Sequence, residues 1–249
     1  MIILNRIKDT SEISDFWGSW ALRFFERASK EGMSKFLTWD FVKTAMFHEI
    51  KKVALGKLKK SNRWNFFKLF TREDKFGSPK NNGNLLHHLY SINEFLNFSE
   101  TNFSKLRVIY EFGGGYGSLC RIIFRLGFQG LYVIRDLPIV CHIQKGYFKG
   151  IKLDQEVDEI SNPSYHPSCE LFIALWSISE CPLKIRDEVF LMTNFKKCLI
   201  AFQKEFSGIN NLKYFRDLIK SKPEYSWKLY EISHLPNNYY LLGALNEKS

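Results

Sequence analysis

The chain has 249 residues, 45% of them apolar. That is enough for a real core, and it fits one large α/β domain alone or with a smaller N-terminal part. The net charge of +10 and pI near 9.3 favour anionic partners such as nucleic acid, phosphorylated substrates or a membrane surface, and say nothing about fold.

Residues 1–104 read as helical. Ser11 can cap a helix, with Ser14 and Asp15 in its first turn. Phe16, Trp17, Trp20, Ala21, Phe24 and Ala28 then recur at helical spacing and read as a core stripe, with a cofactor box as the alternative. A second helix is expected over Ser34 to Leu58, with Phe41, Ala45, Met46 and Val53 inward. Between Lys51 and Arg72 stand eight basic residues and no acid, interleaved with Trp64, Phe66, Phe67 and Phe70. Such a stretch can grip phosphates and stack bases, hold a pyrophosphate, or meet an anionic membrane. A solvated helix face with its aromatics in the core accounts for it equally. Lys75 to Asn84 reads as a loop, and Leu85, Leu86, Leu89, Ile92 and Leu96 as the next helix, ending near Phe98-Ser99. His87 and His88 lie in that helix. Adjacent positions face different directions, so they are a poor metal pair.

From Lys105 onward strands and helices alternate. Arg107 to Phe112 is β-rich and runs into Gly113-Gly114-Gly115-Tyr116-Gly117, after which Leu119, Ile122, Ile123 and Leu126 open a helix that Gly127 stops. Leu131 to Ile134 is the second strand, followed by Arg135-Asp136-Leu137-Pro138. Asp136 stands 19 residues past Gly117, a spacing that suits an acid accepting hydrogen bonds from both ribose hydroxyls. A surface Asp opening a turn before Pro138 is the plainer alternative. Ile139 to Tyr147 is helical. Ile151 to Pro167 is poorly patterned and acidic and should hold the third strand. Leu171 to Leu175 is a continuous apolar run, suited to a strand buried on both faces. It leads into Trp176-Ser177-Ile178-Ser179-Glu180-Cys181-Pro182, the expected floor of a site beyond the carboxyl ends of the central strands. Arg186 to Met192 is a helix, Lys197 to Gln203 a strand and Leu212 to Ser221 a helix. Trp227 to Ser233 and Tyr239 to Leu245 form a closing hairpin. The fold class is therefore α/β: a mostly parallel, Rossmann-like sheet with a C-terminal antiparallel hairpin and an N-terminal helical cap. The expected division is 1–104 as the cap and substrate region and 105–249 as the ligand-binding domain.

The five cysteines (Cys120, Cys141, Cys169, Cys181, Cys198) are widely spaced and include no Cys-x-x-Cys, so reduced thiols are expected rather than a disulfide framework or zinc knuckle. No compact His/Asp/Glu cluster indicates a metal. No run of about 18 apolar residues exists for a membrane span, and Met1 to Leu4 is too short for a signal peptide, so a cytoplasmic protein is expected.

No glycine turn here ends in Gly-Lys-Ser/Thr, which excludes a P-loop. The dinucleotide fingerprint wants a glycine where Ser118 stands. Glu111, just before the glycines, would also repel a pyrophosphate and attract an ammonium group. The pattern Glu111-x-Gly113-x-Gly115-x-Gly117, with an acid ending the second strand and a closing hairpin, resembles class I S-adenosylmethionine-dependent methyltransferases, whose strand order is 3-2-1-4-5-7-6. Glu111 to Leu119, Asp136 to Pro138 and Ser177 to Pro182 together resemble the bacterial sugar O-methyltransferase family most closely, over roughly Phe76 to Leu245.

That resemblance implies S-adenosylmethionine as cofactor. Gly113, Gly115 and Gly117 would wrap its methionine part and Glu111 would contact the ammonium, directly or through water. Asp136 would hold the ribose, and Trp176 and Ser177 would lie near the adenine or the sulfonium. It has no clear equivalent here of the adenine-contacting acid after the third strand. Methyl transfer to a hydroxyl gains from a general base, and Glu180 is the first candidate, with His166, His87, His88 and His234 behind it. The implied partner is a small-molecule or glycan acceptor, with or without phosphate, in surface-polysaccharide or nucleotide-sugar biosynthesis. The N-terminal helices and the Phe76 to Asn84 loop would cover the site. The rival readings are an RNA ribose methyltransferase, from the charge and the basic patch, and a non-catalytic methyltransferase-like module. The first is not the expected one, and nucleic acid is not the expected partner.

Overall fold

The computed structural model describes residues 15–32, 36–46, 52–65, 68, 83–153, 157–160 and 166–246. They form two compact units, one taking in Ser19–Thr101 and the other Asn102–Ser249 together with the residues up to Gly18.

The first unit is helical. α1 (Asp15–Glu31), α2 (Asp40–Met46), α3 (Lys52–Lys60) and α4 (Gly83–Ser99) follow in order. Trp20, Ala21 and Phe24 of α1 are buried with Phe36, Trp39, Phe41 and Val42, and the Phe24 and Trp39 rings lie 5.2 Å apart. Phe16 departs from the expected stripe: it is 54% exposed. Of the helix expected from Ser34 to Leu58, the described residues give a 3₁₀ turn over Phe36–Thr38, then α2 and α3, and residues 47–51 lie outside the described residues. Val53, expected inward, is 59% exposed. Lys52, Lys57, Lys59, Lys60 and Lys68 are exposed, while Arg63 donates to Asn97 Oδ1 at 2.8 Å. The expected cap at Ser11 and most of the Lys75 to Asn84 loop lie outside the described residues.

The second unit is a seven-stranded sheet. Its strands are β1 (Val108–Phe112), β2 (Leu131–Arg135), β3 (Val157–Ile160), β4 (Cys169–Leu175), β5 (Phe195–Gln203), β8 (Tyr225–Glu231) and β9 (Asn238–Leu245). A two-residue ladder, β6 (Glu205–Phe206) with β7 (Ile209–Asn210), stands apart. The order is β3-β2-β1-β4-β5-β9-β8, with β9 antiparallel to β5 and β8. Leaving aside the short ladder, this is the 3-2-1-4-5-7-6 order expected from the sequence.

Helices α5 (Ser118–Arg125), α6 (Pro138–Ile151), α7 (Leu183–Met192) and α8 (Asn211–Ser221) complete the alternation. Side chains alternate across each strand, so each face needs its own cover. Tyr110, Phe112, Val133, Phe172 and Phe202 form one core with Ile185, Val189 and Phe190 of α7 and Phe215 of α8. Ile109, Glu111, Tyr132 and Ile134 occupy the opposite face and are buried too. Cys120, Cys141, Cys169 and Cys198 are buried and unbridged, and Cys181 is half-buried. Among the described residues no helix is long and apolar enough to cross a membrane.

Candidate active site

β1 ends at the centre of the sheet and turns through Gly113–Gly117 into α5. Its neighbours are β2 on one side and β4 on the other, so the strand order reverses here. Open α/β sheets take ligands in the crevice such a reversal leaves beyond the strands' carboxyl ends. Gly113 N donates to Arg135 O at 2.8 Å, and Gly117 N donates to Gly114 O at 3.0 Å. Gly113, Gly115 and Gly117 have φ of +73°, +55° and +92°, which side-chain-bearing residues rarely adopt. A Cβ on Gly113 would stand 2.2 Å from Ser177 Cβ, and one on Gly117 2.5 Å from the Phe148 ring. Around Gly115 a Cβ would meet nothing within 4 Å. Packing shapes the two ends of the turn, and its middle is open.

Asp136 reaches this turn from the end of β2. Its Oδ2 accepts from Gly115 N at 3.0 Å and from Gln144 Nε2 at 3.3 Å, and its Oδ1 accepts from Leu137 N at 2.8 Å. A carboxylate has about four acceptor positions. These three bonds, with the Gly114 amide also acting on the carboxyl, leave room for at most one ribose hydroxyl. Burial pushes the Asp136 carboxyl up to about 7, against the lowering effect of the Leu137 and Gly115 amides and of Gln144.

Glu111 is 3% exposed and lies beneath Gly114, where an added Cβ would come within 3.1 Å of its Oε2. Tyr132 Oη donates to that oxygen at 2.8 Å. Burial raises the Glu111 carboxyl to about 8; the Tyr132 bond opposes the shift and the charge of Asp136 adds to it. Glu111 therefore braces the turn from below, and a ligand ammonium would meet it through the turn or through water.

The segment after β4 forms the other wall. Trp176 has φ +65°, an unusual conformation for a large side chain. Its N donates to Ala201 O at 2.7 Å and its Nε1 to Asn238 Oδ1 at 2.7 Å. Ser177 Oγ donates to Phe112 O, tying this wall to the end of β1. Glu180 follows in a short 3₁₀ turn, Ser177–Glu180. Its Oε1 accepts from Gln203 Nε2 at 3.2 Å and its Oε2 from Trp17 Nε1 at 2.6 Å. Trp17 belongs to the same compact unit as Glu180. Burial raises the Glu180 carboxyl, while the bonds from Trp17 and Gln203 and the charge of Arg186 hold it back.

Arg186 is fully buried. Its Nε donates to Cys181 O at 2.8 Å, Nη2 to Ser179 O at 2.5 Å and Nη1 to Asn211 Oδ1 at 2.5 Å. Asn211 Nδ2 in turn donates to Gln203 O at 2.8 Å. A buried guanidinium thus fixes the turn that carries Glu180, and through Asn211 the strand end that carries Gln203.

Of the residues expected from sequence, the fold brings together Glu111, the three glycines, Asp136 and Ser177, with Trp176 and Glu180 next to Ser177. It does not bring His166 there. His166 precedes β4, and its Nε2 lies 3.4 Å from Nη1 of Arg135, the residue before Asp136. Its side chain is 3% exposed, with Nε2 3.2 Å from Glu188 Oε1 on α7. With Nδ1 3.5 Å from Thr193 Oγ1 as well, its ring is held by Arg135, Glu188 and Thr193 rather than by the residues around Ser177. His87 and His88 are buried in α4, and burial drives His88 down to about 3. Sequence reasoning missed Gln144, Arg186, Gln203 and Tyr132, and placed Trp17 in the aromatic stripe read first as core. Gln144 had a signal: a polar residue on the inward face that Val140, Ile143 and Tyr147 define.

No family model matches the chain, and no curated protein matches it. Among solved structures it is similar to the methyltransferase domain of bacterial CtHen1 in the form designated CtHen1-C. The identity is 12% and the TM-score 0.50, over 65% of this chain and 99% of that one. It is also similar to magnesium protoporphyrin IX methyltransferase (ChlM) from Synechocystis PCC 6803, solved with bound SAM, at 12% identity and TM-score 0.49, over 78% and 97% of the two chains. An O-methyltransferase family protein from Burkholderia thailandensis gives 13% identity and TM-score 0.49, over 79% and 68%. At such identities the likeness to the CtHen1 domain concerns the fold. The chain has the class I methyltransferase fold.

Proposed function

We propose that the chain is an S-adenosylmethionine-dependent methyltransferase acting on a sugar hydroxyl. The observation that carries the cofactor is the glycine turn at the strand-order reversal: open at Gly115, latched to the acid that follows β2, and faced by Ser177. These residues fit the group. Backbone amides and the open face of Gly115 would take the methionine part, and the remaining acceptor position of Asp136 one ribose hydroxyl. Trp176 would border the adenine or the sulfonium. Bound S-adenosylmethionine supplies an activated methyl group.

The protein's part is alignment, exclusion of water and removal of a proton. We assign the last to Glu180. Each of its oxygens accepts one hydrogen bond and keeps acceptor capacity for the acceptor's hydroxyl proton. Its raised pKa makes it a stronger base than a solvated carboxylate. The sugar acceptor rests on the resemblance of Glu111 to Leu119, Asp136 to Pro138 and Ser177 to Pro182 to the sugar O-methyltransferase pattern. RNA is the second reading, favoured by the exposed Lys52, Lys57, Lys59 and Lys60 of α3. Incubation with methyl-tritiated S-adenosylmethionine separates them. Label should enter nucleotide-sugars or oligosaccharides and not bulk RNA at physiological salt. Label in RNA alone would replace the first reading by the second.

A further inference from the structure

Gln144, on α6, is fully buried, and its amide spans the two groups that define the turn. Nε2 donates to Gly115 O at 2.8 Å and to Asp136 Oδ2 at 3.3 Å. Asp136 Oδ2 itself accepts from Gly115 N. The peptide groups of Gly115 are therefore gripped on both sides, N–H by the carboxylate and C=O by the amide. The orientation of that amide follows from its surroundings. Both neighbours of Nε2 are acceptors, so a flip would press Oε1 against two oxygens. In the observed orientation Oε1 has no hydrogen-bond partner among the described residues. The fold tolerates a buried unpaired acceptor in order to present both N–H groups to the turn.

From this closed ring of contacts we propose that Gln144 is a positioning residue for the cofactor: it sets the open middle of the glycine turn and holds Asp136 with its free acceptor position available to the ribose. The inference rests on the S-adenosylmethionine reading and names a residue outside the glycine and acid motifs. Gln144 touches no substrate. It acts through Gly115 and Asp136. The charged and titratable groups around Asp136 are Glu111 from β1, Arg135 beside it on β2, Cys141 on α6 and Cys181 after β4.

The test is calorimetric binding of S-adenosylhomocysteine to the full chain, wild type against Gln144→Met and Gln144→Glu, between pH 6 and pH 9. Met keeps the volume and removes both donors. Its affinity should fall about ten- to hundred-fold, the worth of two bonds one of which is to a carboxylate, with the melting temperature little changed. Glu can donate one bond while protonated and repels Asp136 and Gly115 O once ionised. Its affinity relative to wild type should therefore fall as pH rises. That pH dependence is read within one folded protein, and a packing role alone would not produce it. Wild-type affinity in Gln144→Met, or for a Met variant that does not fold a Gln144→Glu affinity parallel to wild type at every pH, overturns the proposal. Absence of binding to the wild type would instead overturn the cofactor reading on which it rests.

Discussion

Gly113 and Ser177 meet where two loops from neighbouring strands touch, and the contact has no space for a methyl group. A Cβ on Gly113 would lie 2.2 Å from Ser177 Cβ, on a residue whose φ is +73°. Gly113→Ala should cost about 2–4 kcal/mol, from the clash and the left-handed backbone together, read as a lowered urea midpoint. Ser177→Gly should recover part of that loss in the double variant, since it removes the atom struck.

The carboxyls under the same turn make a second prediction. Glu111 and Asp136 are raised to about 8 and about 7 when folded. The folded state then holds protons that the unfolded state has released. Stability is full below the ordinary carboxylate range near about 4 and falls as pH rises toward 7 for Asp136 and 8 for Glu111. The slope is at most about 1.4 kcal/mol per pH unit for each group. Urea unfolding should show the loss between pH 5 and pH 8, and Glu111→Gln should make it shallower. An unchanged slope in that variant would contradict the burial of Glu111.

Among the elements, the 3₁₀ turn of Ser177–Glu180 depends on α7 through Arg186. Replacing that guanidinium leaves the carbonyls of Ser179 and Cys181 and the Asn211 side chain without donors. Arg186→Met should lower stability by about 2–4 kcal/mol and speed amide exchange at Ser179 and Cys181 more than in β1 or β4. Uniform acceleration over the whole sheet would mean that Arg186 supports the core and not this turn.

Elements were legible where burial is one-sided or complete. The apolar runs of β1, β2 and β4 and the periods of α4, α5 and α8 lie within a few residues of their expected limits. The region before β4 is different. β3 reads Val-Asp-Glu-Ile and sits at the sheet edge beside β2, so it carries little apolar signal. The short ladder of β6 and β7 turns through Ser207 and Gly208, both at positive φ. That Ser-Gly pair is a hairpin signal too slight to read without its flanking strands.

At the scale of the whole molecule, strand order follows from the alternation of strands and helices and from the closing hairpin. Connectivity rules leave few other arrangements. The glycine turn and the acid after β2 were legible because a local backbone demand and a fixed strand–turn–helix layout produce them. Their supports were not. Gln144 binds Gly115 across 29 residues, Tyr132 binds Glu111 across 21, and Trp17 binds Glu180 across 163. Nothing in a residue's own neighbourhood marks such a pairing. The same distances show why motif residues alone describe the site incompletely: Gly115, Glu111 and Glu180 are each held by a polar side chain from another element.

The proposed function stands or falls with what the glycine turn holds. Gly115 is the position to probe, because a side chain there meets open space and leaves the packing undisturbed. Calorimetry with S-adenosylhomocysteine should show one molecule bound per wild-type chain. Gly115→Asp, which sets a carboxylate in the open face of the turn, should show no measurable binding, with a melting temperature lowered only by the strain of a non-glycine residue at φ +55°, about 1 kcal/mol. Binding of equal strength by the two proteins, or no binding by either, would contradict the assignment.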